Sequence, residues 1–302
     1  MFIEKNITHG SSVVADTVKA IADSASAHAA HGGEKFEFKE LLHHVYNAPE
    51  IEIPFIGKVH LPQFPSIFGV DVSITKHVFF LLLAALILVI ALSIVARKNS
   101  KNKVPKGFGN LVELLVVFIR DEIVLPNMGK SGLKYLPYLL TNFFFILIMN
   151  LIGLIPYGAS ATGNVNVTAG LAVIAFIMIQ FSAIRAQGFG HYLAHLTGGT
   201  HWGMWIIMVP IEFLSLFVKP FALCIRLFAN MTAGHIVILA LIGLIFIFNN
   251  AFVGILSVPL ALAVNMLELF VALLQAYIFT MLTSIFMGLG MQSEEHGHKE
   301  HH

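Results

Sequence analysis

Two apolar runs, Trp202–Phe248 and Ala251–Met291, are separated only by Asn249-Asn250. As one α-helix the first would reach about 70 Å at ~1.5 Å per residue, more than twice the ~30 Å of bilayer hydrocarbon. The pair predicts an antiparallel hairpin of long membrane-embedded helices. Each must be strongly tilted, or broken at Pro210, Pro220 or Pro259. Composition places the whole chain in the same class: 302 residues, 57% hydrophobic and 12% charged, as in a polytopic membrane protein. A net charge of +1 implies no nucleic-acid partner. The single cysteine, Cys224, excludes an intrachain disulfide and reads as a small buried residue.

Upstream of the hairpin the chain divides into an outer segment, 1–75, and a membrane domain, 76–302, with a cytoplasmic tail. Residues 1–35 lack the apolar core of a secretory signal and read as partly ordered. Ile51–Phe55 and Lys58–Leu61, around Ile56-Gly57, predict a small β-hairpin. His77–Ala96 is the first span. Arg97, Lys98, Lys101, Lys103 and Lys106 follow it directly, which places that end in the cytoplasm and the N-terminus outside. Phe108–Leu125 is apolar but carries Glu113, Arg120, Asp121 and Glu122, and reads as an interfacial helix with Glu113 and Arg120 on one face. Leu136–Ile155, ending at Pro156, and Val167–Phe181, or slightly beyond, are further spans. The fold expected is all-α, with about five membrane-embedded helices, one interfacial amphipathic helix, and a tilted C-terminal hairpin.

Arg226 is the arginine placed well inside an apolar run, whereas Arg97, Arg120 and Arg185 stand at edges. A charge at mid-membrane costs about 2.5–3.5 kcal/mol on insertion scales, so it has a partner or a task. At 100° per residue Glu212, Lys219, Arg226 and Asn230 form one polar stripe, and His235 lies roughly opposite. On the second long helix Glu268 and Gln275 nearly eclipse, with Asn265 about 60° away. Facing residues of a hairpin stand equally far from its turn. By that count Gln275 is level with Arg226, and Glu268 with His235, each within about one ~5.4 Å helical turn. Arginine stays protonated and supplies a fixed charge; histidine and glutamate titrate and can relay a proton. The His–Glu pair reads either as such a relay or as a structural clamp between helices.

His191, His195 and His201, and the four histidines of the tail EEHGHKEHH, have the spacing of metal ligands but no Cys or Asp companions, and read as surface residues. No metal or cofactor is expected. A GxxxxGK[ST] loop is absent, so no phosphate-binding loop of that type is expected in this chain.

The stretch IRLFANMTAGH, the Lys219-Pro220 pair seven residues before the arginine, LLQAYIF in the last helix, HHVYN at His43–Asn47 and VNVT at Val165–Thr168 resemble subunit a of the F-type ATP synthase membrane sector. The resemblance covers most of the chain. It implies an ion-conducting stator that passes H+ or Na+ through two offset half-channels to the carboxylates of a rotating c ring. The subunit would not be catalytic by itself. Its partners would be the c ring, the b-subunit stalk, the remainder of the complex and membrane lipid. Arg226 would face the ring and separate the half-channels. Asn230 and Gln275 would steady it, and His235 and Glu268 would line the half-channel open to the outside. Many bacterial members carry the acid on the first helix and the histidine on the second. Here the two are exchanged, as in the mitochondrial form, while the long outer N-terminus favours a bacterial plasma membrane. Two other classes fit a polar stripe in a membrane helix. A secondary transporter would use Arg226 for an anionic substrate and usually shows an internal repeat, which is not visible here. A structural scaffold would leave the aligned polar levels unexplained.

Overall fold

The computed structural model describes residues 50–53, 57–60, 75–101, 107–155, 160–190, 192, 205–248 and 251–292. The first 35 residues, His191, His195, His201 and the tail lie outside that set. Glu50–Ile53 (β1) and Gly57–His60 (β2) pair antiparallel, with Glu50 opposite His60 and Ile53 opposite Gly57. The pairing ends two residues short of Phe55. Pro54 has no N–H to give to a ladder, so β1 stops before it, and Gly57 opens β2 instead of closing the turn.

The rest is helical. Among the described residues, five helices are long and apolar enough to cross a membrane. In chain order the helices are α1 (Lys76–Lys101), α2 (Phe108–Phe118), α3 (Leu125–Met128), α4 (Leu136–Gly153), α5 (Val165–Gln187), α6 (Trp205–Phe248) and α7 (Ala251–Gln292). The chain is thus an all-α polytopic membrane protein with a small β-hairpin ahead of its first span. The two long runs are unbroken: α6 continues through Pro210 and Pro220, and α7 through Pro259. They lie against each other, and α4 and α5 pack behind them.

Burial shows which helix is central. Just over half of the most apolar window of α4 is buried (56%), against 11% for α1 and for α6. In lipid there is no hydrophobic force between apolar helices, so contacts depend on close packing and internal hydrogen bonds. Asn150 of α4 supplies two. Its amide donates to the Ala272 carbonyl of α7 at 3.3 Å, and its oxygen accepts from Thr162 at 2.8 Å. Thr162 also bonds the Ser160 hydroxyl at 2.7 Å, and the Ser160 carbonyl meets the His77 Nδ1 of α1 at 3.0 Å. A short 3-10 turn, Ala161–Gly163, thereby ties α1, α4 and α7 together at one end of the bundle. The VNVT stretch that follows has a local reason. The Asn164 side chain caps α5 by accepting from the Asn166 N–H at 2.9 Å. One turn on, the Thr168 hydroxyl lies 3.4 Å from the Cys224 sulfur of α6.

The interfacial region departs from a simple helix. Between α2 and α3 the chain winds as a π-helix, Ile119–Val124. The wider turn leaves the Ile123 carbonyl to accept from the Asn127 side chain at 2.7 Å and from Ser284 of α7 at 3.4 Å. Arg120 does not reach back toward Glu113. Its guanidinium takes the neighbouring Asp121 in two hydrogen bonds of 2.7 and 3.0 Å, which holds that exposed carboxyl below its usual range.

Candidate functional site

The polar residues of α6 and α7 fall into three positions. Leu223, Leu227 and Met231, four apart, are almost fully buried and form the inward stripe of α6. This rotation leaves Arg226 and Asn230 exposed on the outer face, among the exposed Ala222, Ala229 and Ala233. Arg226 makes no hydrogen bond or ion pair among the described residues. Gln275 is 1% exposed, and its oxygen accepts from the Asn230 amide at 2.9 Å. The level predicted for Arg226 and Gln275 is therefore filled by Asn230, one turn along α6, while the arginine points away from the hairpin.

The second level is as counted. His235 Nδ1 stands 3.3 Å from Glu268 Oε1, with Glu268 2% exposed and His235 half-buried. The distance is that of an ion pair, but the imidazole is not directed along a hydrogen-bond axis. Both carboxylate oxygens, His235 Nε2, Thr232 Oγ1 and Gln275 Nε2 are buried without a hydrogen-bond partner among the described residues. A buried polar atom so placed is costly, and several of them lie along this one hairpin. Gly234 completes this level. A Cβ there would stand 2.7 Å from the Glu268 carboxyl carbon and oxygen, so the missing side chain is what admits the carboxylate. Nothing in the spacing of polar residues singles out Gly234; only its place in the TAGH sequence does.

The remaining members of the polar stripe are apart from these two levels. The Lys219 ammonium lies over the Phe286 ring, 5.2 Å from its centre. Asn265 is exposed on α7. The Glu212 side chain lies outside the described residues. Among the described residues, no three His, Cys, Asp or Glu side chains come together as a metal-ligand set.

An exposed arginine one turn from a paired amide level, with a histidine–glutamate level beyond that, on two long apolar helices, is the arrangement of a membrane protein that handles ions. Residues 78–288 match the family described as ATP synthase A chain. The chain is 52% identical over 274 residues to "ATP synthase subunit a" of Chloroherpeton thalassium, covering 90% of this chain and 81% of that one. It is 51% identical over 294 residues to "ATP synthase subunit a 2" of Chlorobaculum tepidum, covering 95% and 83%. It is also 51% identical over 292 residues to "ATP synthase subunit a" of Pelodictyon phaeoclathratiforme, covering 95% and 85%. The chain belongs to the ATP synthase A chain family. It is a multi-pass membrane protein and an ion-translocating subunit of the Fo sector, with the rest of an ATP synthase as its partner.

Proposed function

We propose that this subunit is the stator half of an ion-driven rotary device in a bacterial plasma membrane. It offers two offset half-channels, for H+ or Na+, to the carboxylates of a c ring, and the b stalk holds it still. The single observation that carries the reading is the exposed Arg226. A fixed cation at the surface of an apolar helix, without a partner among the described residues, serves a group carried on another chain. The exposed alanines around it let that partner's backbone come close. Asn230 and Gln275 hold the neighbouring level. His235 and Glu268 are the titratable pair of the half-channel that opens outside, and Glu212, Lys219 and Asn265 are secondary. The subunit holds no catalytic group of its own, and ATP chemistry belongs to its partners. Purification tests the reading directly: the subunit comes out with a c ring, and a chain isolated alone that binds an anionic solute would replace the reading with a carrier.

The topology follows from the basic cluster after the first span. Residues 1–75 lie outside, and Lys98–Lys106 and the C-terminal tail lie in the cytoplasm. In a Cys224→Ala background, Glu40→Cys reacts with an impermeant thiol reagent added to intact cells and Glu295→Cys does not. The opposite pattern inverts the orientation.

For the histidine–glutamate level the order of the two residues matters less than their meeting at 3.3 Å. His235→Ala and Glu268→Ala each slow passive proton flow through the membrane sector by tenfold or more, on the order of 1.4 kcal/mol of barrier, with assembly intact. The exchange His235→Glu with Glu268→His conducts faster than the worse single variant. An exchange as slow as that variant removes the pairing from the path.

A further inference from the structure

A second polar site lies away from the two levels, in a cavity of about 100 Å³ between α5, α6 and α7. Water takes ~30 Å³ in the liquid, so the space holds about three water-sized polar groups. Gln180, Gln187, Tyr192 and Lys219 line it, with Phe286 and Leu289. Two of the polar groups are committed. The Tyr192 hydroxyl donates to the Gln180 side-chain oxygen at 2.5 Å, and the Gln187 amide donates to the Gly290 carbonyl. Two are left over. The Lys219 ammonium rests on the Phe286 ring, which steadies the charge but leaves its N–H groups without an oxygen acceptor among the described residues. The Gln187 side-chain oxygen is buried with no donor among the described residues. An occupant that satisfies both accepts from an ammonium and donates to an amide.

The surroundings narrow its chemistry further. Leu289, at the cavity wall, is 58% exposed, and Phe217, which packs on the lining residue Phe176, is 49% exposed. The Phe217 ring stacks on Phe176 with centroids 5.6 Å apart. Arg185, on the last turn of α5, is exposed and adds a second cation at this end of the bundle. A basic polar cleft with an apolar, outward-facing mouth matches a molecule with a charged head and hydrocarbon tails. Basic pockets between membrane helices on the cytoplasmic side take anionic headgroups in general.

We propose that this cavity binds the headgroup of an anionic phospholipid of the phosphatidylglycerol type. The phosphate accepts from Lys219, and a glycerol hydroxyl donates to Gln187. The acyl chains run past Leu289 and Phe217. Only the leaflet rests on the topology proposed above; the binding chemistry does not depend on ion transport.

The test uses the intact ATP synthase, released from vesicles of phosphatidylethanolamine and phosphatidylglycerol and weighed by native mass spectrometry. The wild-type complex retains a phosphatidylglycerol that Lys219→Gln releases, with retention falling about fivefold, the effect of one basic residue near an anionic lipid. Lys219→Arg keeps it. Leu289→Trp keeps the charge but blocks the mouth, and loses the lipid. Equal retention by wild type, Lys219→Gln and Leu289→Trp overturns the proposal. Displacement of the lipid by millimolar inorganic phosphate overturns the lipid as the occupant and assigns the site to free phosphate. Lipid retention with normal dependence on Lys219 in a complex that does not pump sustains this site while removing the ion-path reading.

Discussion

Arg226→Ala is expected to abolish ATP-driven ion pumping and ATP synthesis in complexes that still assemble. Arg226 is exposed and its removal leaves no buried partner uncompensated, so the fold has little reason to change. The loss is electrostatic. A ring carboxylate crossing a low-dielectric interface is charged only beside a fixed cation. Two opposite charges 4 Å apart attract by about 4 kcal/mol at an effective dielectric of 20. A fraction of this, ~1.4 kcal/mol, already changes the ionised share tenfold. Without Arg226 the carboxylate passes in its neutral form, and ions slip between half-channels with no obligatory rotation. Arg226→Lys keeps a charge but loses the planar fork of five donors and is severely impaired too. Pumping and passive leak are measured in vesicles with equal amounts of assembled complex. Pumping near the wild-type rate by Arg226→Ala would falsify the central role of this residue.

The largest structural effect is expected at Gly288. A Cβ there would collide with the main-chain carbonyl of Asn127, and a main-chain atom cannot rotate aside. Gly288→Leu forces α7 away from α3. It also separates Ser284 from the Ile123 carbonyl, 3.4 Å apart in the native packing. Overpacking of this kind costs about 1–3 kcal/mol, and more where backbone must move. The subunit content of membranes, read by immunoblot, falls to a small fraction of wild type. Gly170→Leu is the matched control, since a Cβ at Gly170 meets nothing within 4 Å. Equal membrane content in the two variants would show that α7 does not depend on this contact.

The large features are legible in the sequence because they rest on length and hydropathy. The hairpin follows from Asn249-Asn250, and the His235–Glu268 level from counting outward from that turn. The same count could not decide between Arg226 and Asn230 as the partner of Gln275. They are one turn apart, which is the tolerance of the count, and only the burial of Leu223, Leu227 and Met231 sets the rotation of α6. The Asn150–Ala272 bond ends on a main-chain carbonyl, which no side-chain pattern reports. Gly234 escaped for a related reason: its contribution is the space it leaves for Glu268. Placing Glu113 and Arg120 on one face assumed 3.6 residues per turn, and the winding of Ile119–Val124 removes that assumption.

That π-helix also constrains what evolution can do to this stretch. A turn holding an extra residue is undone by losing one codon. The shortened chain would run straight from α2 into α3, and the Ile123 carbonyl would return to a main-chain N–H, leaving Asn127 and Ser284 without their acceptor. Since a π turn takes one residue more than an α turn for the same rotation, the faces before and after the deletion would stay in register, and the cost would fall on these two hydrogen bonds. Phe118, whose ring lies 5.9 Å from that of Tyr277, would still face α7. Side chains on the exposed face are free to drift among lineages, whereas gaps and insertions between Phe118 and Leu125 should be purged.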